Sequence, residues 1–211
     1  LGMLLPADTS PVSPDVWGVN ITYDEDGYVK DDEAEKIDYG KLLKEMQEDT
    51  RESSKQREQE GYGSIELLGW AAPPRYDKTS KKMYWAKELK FGGADENTLN
   101  YNIRVLGRRG VLVLNAVASM PQLPQIEAAT PTILSAVEFQ EGHRYADFNS
   151  STDKVATYGL AGLVAGGILA KTGLFAKLGL IIAKSAKLLI IGGAVVIGFL
   201  AKLFGKKKET Y

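Results

Sequence analysis

Three polar side chains on one apparent strand are the first residues with a chemistry to offer. In TLNYNIRVL, residues 98–106, the apolar Leu99, Tyr101, Ile103 and Val105 alternate with Asn100, Asn102 and Arg104. Strand side chains point alternately to opposite faces, so two amides and a guanidinium share one face. With Trp70 and Trp85 on adjoining strands, that face suits a glycan, a peptide or a carboxylate, which a guanidinium can grip with two parallel hydrogen bonds. The plainer alternative is a solvated sheet face with cross-strand pairs.

Other chemistries have thinner support. The chain has no cysteine and a single histidine, His143, which excludes thiolate catalysis, disulfides and the common structural zinc sites. Glu66, Asp77, Glu88, Glu138 and Glu141 could serve as acid and base, but their spacing singles out no pair. Residues 22–33 put Asp24, Asp26, Gly27 and Glu33 at calcium-loop positions, yet Thr22 stands where a carboxylate is needed and a strand precedes the loop. A turn leading into an acid-rich helix start is the better reading there. No metal and no cofactor are expected.

The elements that must position these residues emerge from periodicity. Residues 1–14 carry Pro6, Pro11 and Pro14 and suggest an extended lead-in; Trp17, Val19, Ile21 and Tyr23 alternate as in a strand. Ile37, Leu42, Leu43 and Met46 form one stripe of a helix over residues 32–60, whose second half has little to bury. Strands are expected over 64–71, stopped by Pro73 and Pro74, and over 82–91, 98–106 and 111–118. A helix over 121–137 is interrupted near Pro131, and 139–148 is a last short strand or an extended arm. Short connections imply an antiparallel meander with helices on one face, an α+β fold.

Charge divides the chain. From residue 150 onward nine lysines face only Asp153 and Glu209, a net of +7, which leaves 17 basic and 25 acidic residues in 1–149, a net of −8. A soluble domain over 1–149, a hinge over 150–154, an apolar helical membrane segment over 155–205 and a basic tail over 206–211 are therefore expected. Residues 155–170 and 188–201 are uncharged, ~24 and ~21 Å as helix against a hydrocarbon core of ~30 Å. Lysines that reach outward from the ends (Lys171, Lys187, Lys202, Lys206, Lys207 and Lys208) extend such a segment to one or two spans. Gly159, Gly162, Gly166 and Gly173 recur on one helical face, the small-residue pattern of helix–helix contact. The expected partners are a lipid bilayer, further copies of the chain and other membrane proteins. Nucleic acid is not among them, because the basic charge lies along an apolar segment.

Two sets of residues then carry a resemblance. Asp24-x-x-Gly27-Tyr28-Val29-Lys30-Asp31-Asp32 and Gly69-Trp70-x-x-Pro73-x-x-Tyr76-Asp77 form the first. Asn100-Tyr101-Asn102-x-Arg104-x-Leu106-Gly107-Arg108-x-Gly110 and Gly142-x-Arg144-Tyr145-x-Asp147-Phe148 form the second. Over about residues 1–175 the chain resembles the DUF2167 family of bacterial membrane-anchored proteins of unknown function. The resemblance implies a signal peptide further upstream and a bacterial inner-membrane location with the soluble domain in the periplasm. It implies no catalytic residues. A non-enzymatic, self-associating or scaffolding component is the leading expectation; a ligand-binding module and an envelope hydrolase are the alternatives.

Overall fold

The computed structural model describes residues 1–10, 12–13 and 16–166. Six antiparallel strands form one sheet: β1 (Gly2–Leu4), β2 (Gly18–Asp24), β3 (Ile65–Asp77), β4 (Lys82–Phe91), β5 (Thr98–Leu106) and β6 (Val111–Ser119), in the order β1-β2-β6-β5-β4-β3. The meander β3-β4-β5-β6 matches the expectation, and β2 returns to pair with β6 along Gly18↔Val117 to Asp24↔Val111. Among the described residues three α-helices accompany the sheet: α1 (Tyr39–Gln59), α2 (Leu123–Ser135) and α3 (Leu160–Ala165).

The helices lie on both faces of the sheet, which corrects the one-face expectation. Met83, Trp85 and Leu106 pack with Met46 of α1 and with Leu160, Leu163 and Val164 of α3. Their strand neighbours Ala86, Tyr101, Ile103 and Val105 pack with Ile126 of α2. The reason is visible in β5, whose Tyr101, Asn102 and Ile103 are consecutively buried. A central strand covered on both sides cannot show one wet face.

Local chemistry explains the other departures. β3 continues through Pro73 and Pro74 because it is the sheet's edge, where a missing N–H costs no ladder bond, and its register slips mark bulges. Pro131 sits inside α2 without breaking it. Its ring frees the carbonyl of Glu127, and both residues are exposed, so water can satisfy that oxygen. The polar half of α1 is tied down by hydrogen bonds. Ser54 is buried and its Oγ accepts from Ile65 N at 2.8 Å, while Gln47 donates to Leu67 O at 3.2 Å.

The body extends past the expected boundary at 149. Asp153, placed in the expected hinge, has a side chain only 1% exposed. Tyr28 N donates to Lys154 O at 2.8 Å and Ala156 N to Tyr28 O at 2.8 Å, so residues 154–156 run beside Tyr28. Leu160, Leu163 and Val164 then enter the core. That burial removes Leu160, Leu163 and Val164 from any bilayer span, since the same side chains cannot face lipid. Among the described residues no helix is long and apolar enough to cross a membrane. The rest of the expected membrane segment and the basic tail lie outside the described residues.

Candidate functional site

The sheet pairing sets out a polar belt strand by strand. Asn20 of β2 stands opposite Asn115 of β6, Asn115 opposite Asn102 of β5, and Asn102 opposite Trp85 of β4. One register step away, Asn100 stands opposite Lys87, which faces Trp70 of β3. Asn100 Nδ2 donates to Asn115 Oδ1 at 3.0 Å and Asn102 Nδ2 to Asn100 Oδ1 at 2.8 Å. Arg104 completes the chain by donating to Asn102 Oδ1 at 3.2 Å and to Ile103 O at 3.0 Å. A relay of amides thus holds the guanidinium over the Trp85 ring, 5.0 Å from its centroid.

The expected trio of Asn100, Asn102 and Arg104 is therefore brought together, with Trp85 beneath it. Lys87 is the member that the sequence reading missed. In KMYWAKELKF it occupies the same phase as Met83, Trp85 and Leu89, a lysine in an apolar register, and that was the available signal. Burial pushes Lys87 down to about 8, with repulsion from Arg104 adding to the effect. Burial likewise lowers Arg104 to about 10, against the pull of Asp24 and Tyr158. Among the described residues neither cation forms an ion pair. Trp85 is 1% exposed, and among the described residues its Nε1 donor has no hydrogen-bond partner. A buried indole N–H normally finds an acceptor. The belt thus offers two under-compensated cations and an unused donor.

Trp70 stands apart from this chemistry, because its Nε1 donates to Tyr39 O at 3.3 Å and anchors the start of α1 to the edge strand. The remaining expected positions have local roles or fall outside the described residues. A Cβ on Gly159 would collide with the Glu33 carboxylate, whose Oε1 accepts from Ala161 N at 3.2 Å. Gly162 lies against Tyr158, and Gly166 closes α3 in the left-handed region at φ 81°. Gly173, Lys171, Lys187, Lys202, Lys206, Lys207 and Lys208 are outside the described residues. The carboxylates weighed as acid and base are dispersed. Asp77 closes the turn after β3 by accepting from Thr79 N at 2.8 Å, Glu88 accepts from Asn97 at 2.7 Å, and Glu138 faces Arg144 at 3.8 Å. In the loop weighed for calcium, Asp26 accepts from Tyr158 Oη at 2.6 Å. Among the described residues no group of three His, Asp or Glu side chains could hold a metal ion.

A second polar cluster joins stretches far apart in the chain. Asp31 Oδ2 accepts from Tyr76 Oη and from Lys81 Nζ, each at 2.7 Å. Tyr145 Oη lies 3.0 Å from Asp31 Oδ1 and 2.9 Å from Val29 O, its one hydrogen shared between them. Burial alone would raise Asp31, but the hydrogen bonds from Lys81, Tyr76 and Tyr145 outweigh it and hold the carboxyl below its ordinary value. Burial, reinforced by neighbouring phenol and carboxylate groups, drives the Tyr76 and Tyr145 hydroxyls well above theirs. Lys81 adopts φ 56°, which a lysine seldom takes, and its ammonium lies 4.6 Å over the Tyr145 ring. Tyr28 stacks on Tyr145 at 4.3 Å and on Phe148 at 3.9 Å. Arg108 donates to Asp153 through Nε at 2.6 Å and Nη2 at 3.1 Å. Sequence spacing shows none of this, because the partners of Asp31 lie 45, 50 and 114 positions away.

Several residues that meet around Asp31 also belong to the stretches that carry the family resemblance: Tyr28, Val29, Tyr76, Tyr145 and Phe148. No curated protein and no solved structure matches the chain. The family model described as "Protein of unknown function (DUF2167)" matches residues 1–203, and the chain belongs to that family.

Proposed function

We propose that this chain is a non-catalytic binding module, tethered to a membrane, that takes the anionic group of an envelope ligand on its polar belt. The observation that carries the reading is that Lys87 and Arg104 share one half-buried face, with no ion pair among the described residues, beside three hydrogen-bonding asparagines and the unused Trp85 N–H. Two cations taken partly out of water at one place destabilise each other unless an anion joins them. A carboxylate or phosphate would accept from both cations, and the asparagine relay keeps Arg104 in position for it. An acidic glycan or a peptide terminus fits this face better than a neutral ligand does.

The tether is assigned to the apolar residues after 166. Its support is the sequence: uncharged runs flanked by Lys171, Lys187, Lys202 and the lysines at 206–208, and the charge contrast with the body. Self-association in the membrane, and a periplasmic place for the body, belong to the same proposal.

A thermal-shift series with glucuronate, citrate, inorganic phosphate and neutral glucose tests the site. Stabilisation that rises with the logarithm of anion concentration is expected, roughly 2–4 °C for each kcal/mol of added stability in a body of this size. Lys87→Met and Arg104→Gln should each abolish it. No shift with any anion, or equal shifts in wild type and both variants, removes the reading. Pelleting of the full chain with lipid vesicles tests the tether separately.

A further inference from the structure

We propose that a groove where β5 ends, between the β3–β4 turn and the end of α2, is a second binding site, for a small amphiphile with an apolar body and one anionic head. The groove has a volume of about 360 Å³, within the range of small-molecule sites. Its floor is Val105 and Leu106, 3% and 2% exposed, and Phe139 forms one wall. That wall is preformed. The Phe139 ring presses on Gly107, where a Cβ would come within 2.7 Å, and meets Tyr23 edge-on at 6.2 Å. The site is separate from the belt, since Lys87 and Arg104 are absent from its lining.

The charges around the groove select the ligand. Lys81, Lys82 and Arg144 line it against one lining carboxylate, Glu138. Lys82 Nζ donates to Leu134 O at 2.5 Å, at the end of α2. Helix C-terminal carbonyls would otherwise repel an anion, and the ammonium placed on one of them offsets that field. Two of the three ammonium protons of Lys82 stay available. Arg144 uses its Nε on Phe139 O at 3.3 Å, and among the described residues its terminal nitrogens have no hydrogen bond. Lys81 is fixed at the rim by its bond to Asp31 and by the contact of its own carbonyl with Leu106 N at 2.9 Å. A backbone held at φ 56° beside a cavity is the kind of strain found at ligand clamps. The apolar body would lie on Val105, Leu106 and Phe139, with its head between Lys82 and Arg144.

The test monitors backbone amide NMR of the full chain in a membrane mimetic during titration with octanoate, octanol and acetate. Octanoate should shift resonances of residues 79–82, 105–106 and 134–146 saturably, with octanol and acetate at least about tenfold weaker, the loss expected when a charged contact or the apolar contact is removed. Ala146→Trp, an exposed lining position, should block octanoate by filling the groove, and Arg144→Gln should weaken it about tenfold. Lys87→Met should leave it unchanged, which separates this site from the belt. Equal binding of octanoate and octanol, shifts confined to other residues, or full binding by the Ala146→Trp variant would each overturn the proposal.

Discussion

At the scale of single residues, the belt turns on protonation. Free Lys87 is charged only below about 8, against an ordinary 10.5. A bound anion stabilises the charged form, so affinity should be level below pH 8 and fall as pH rises above it, by up to ~tenfold per unit for one coupled proton. Calorimetric titration of the wild-type chain across pH 7–10 measures that fall, and an affinity that stays level to pH 10 would remove Lys87 from the contact. Stability runs the other way. The unfolded chain binds the Lys87 proton more tightly, so the unliganded protein gains stability between about 8 and 10.5. Around Asp31, Tyr145→Phe leaves Val29 O and one carboxylate oxygen short of a donor. The expected cost is ~1–3 kcal/mol by urea unfolding. The Asn100, Asn102 and Arg104 trio was legible because strand alternation is a local rule. Lys87 needed the phase of its own strand, and the Asp31 cluster needed the fold, since tertiary contacts have no sequence period.

At the scale of elements, close approach explains a glycine that periodicity leaves unassigned. Gly27 has φ 110°, and a Cβ there would stand 2.7 Å from Lys154 O and 3.0 Å from Ala156 N. It therefore admits the returning segment that Tyr28 pairs with. Gly27→Ala should cost ~1–3 kcal/mol from the strained backbone alone and should expose the Tyr28 and Ala156 amides to faster hydrogen exchange. Strand order along the meander was legible, because each strand has its own alternation and a short turn. Three features were not. β1 is three residues long, too short for a pattern, and β3 keeps its prolines because it is an edge. The placement of helices on both faces rests on the apolar stripes of α2 and α3 choosing different sides, which no stripe specifies by itself.

At the scale of the whole molecule, the question is where the folded body stops. The uncharged run that begins at 155 continues in sequence to residue 170 without a polar break that would mark a boundary at 166. Hydropathy cannot distinguish a core helix from the beginning of a lipid-facing one. The distinction lies in long-range bonds. Asp153 accepts from Arg108, from Arg109 Nε at 3.4 Å and from Asn149 N at 2.7 Å, and these bonds hold its carboxyl far below the ordinary range. Its contribution is present above the ordinary carboxylate value and is lost only as pH falls well below it. Beyond it, Leu160 and Val164 are 0% and 1% exposed against the core that Met83 and Trp85 share. A chain ending at 149 strips that cover and should give a body that unfolds or aggregates, given ~2–5 kcal/mol for each large apolar side chain removed from a core. A chain ending at 166 keeps every one of these contacts, and should stay soluble and unfold cooperatively in urea. Leu160→Ala in the longer piece should lower its stability by ~2–5 kcal/mol. If the piece ending at 149 unfolded at the same urea concentration as the piece ending at 166, the segment from 150 would be an appendage after all, and the body would end where the charge divides.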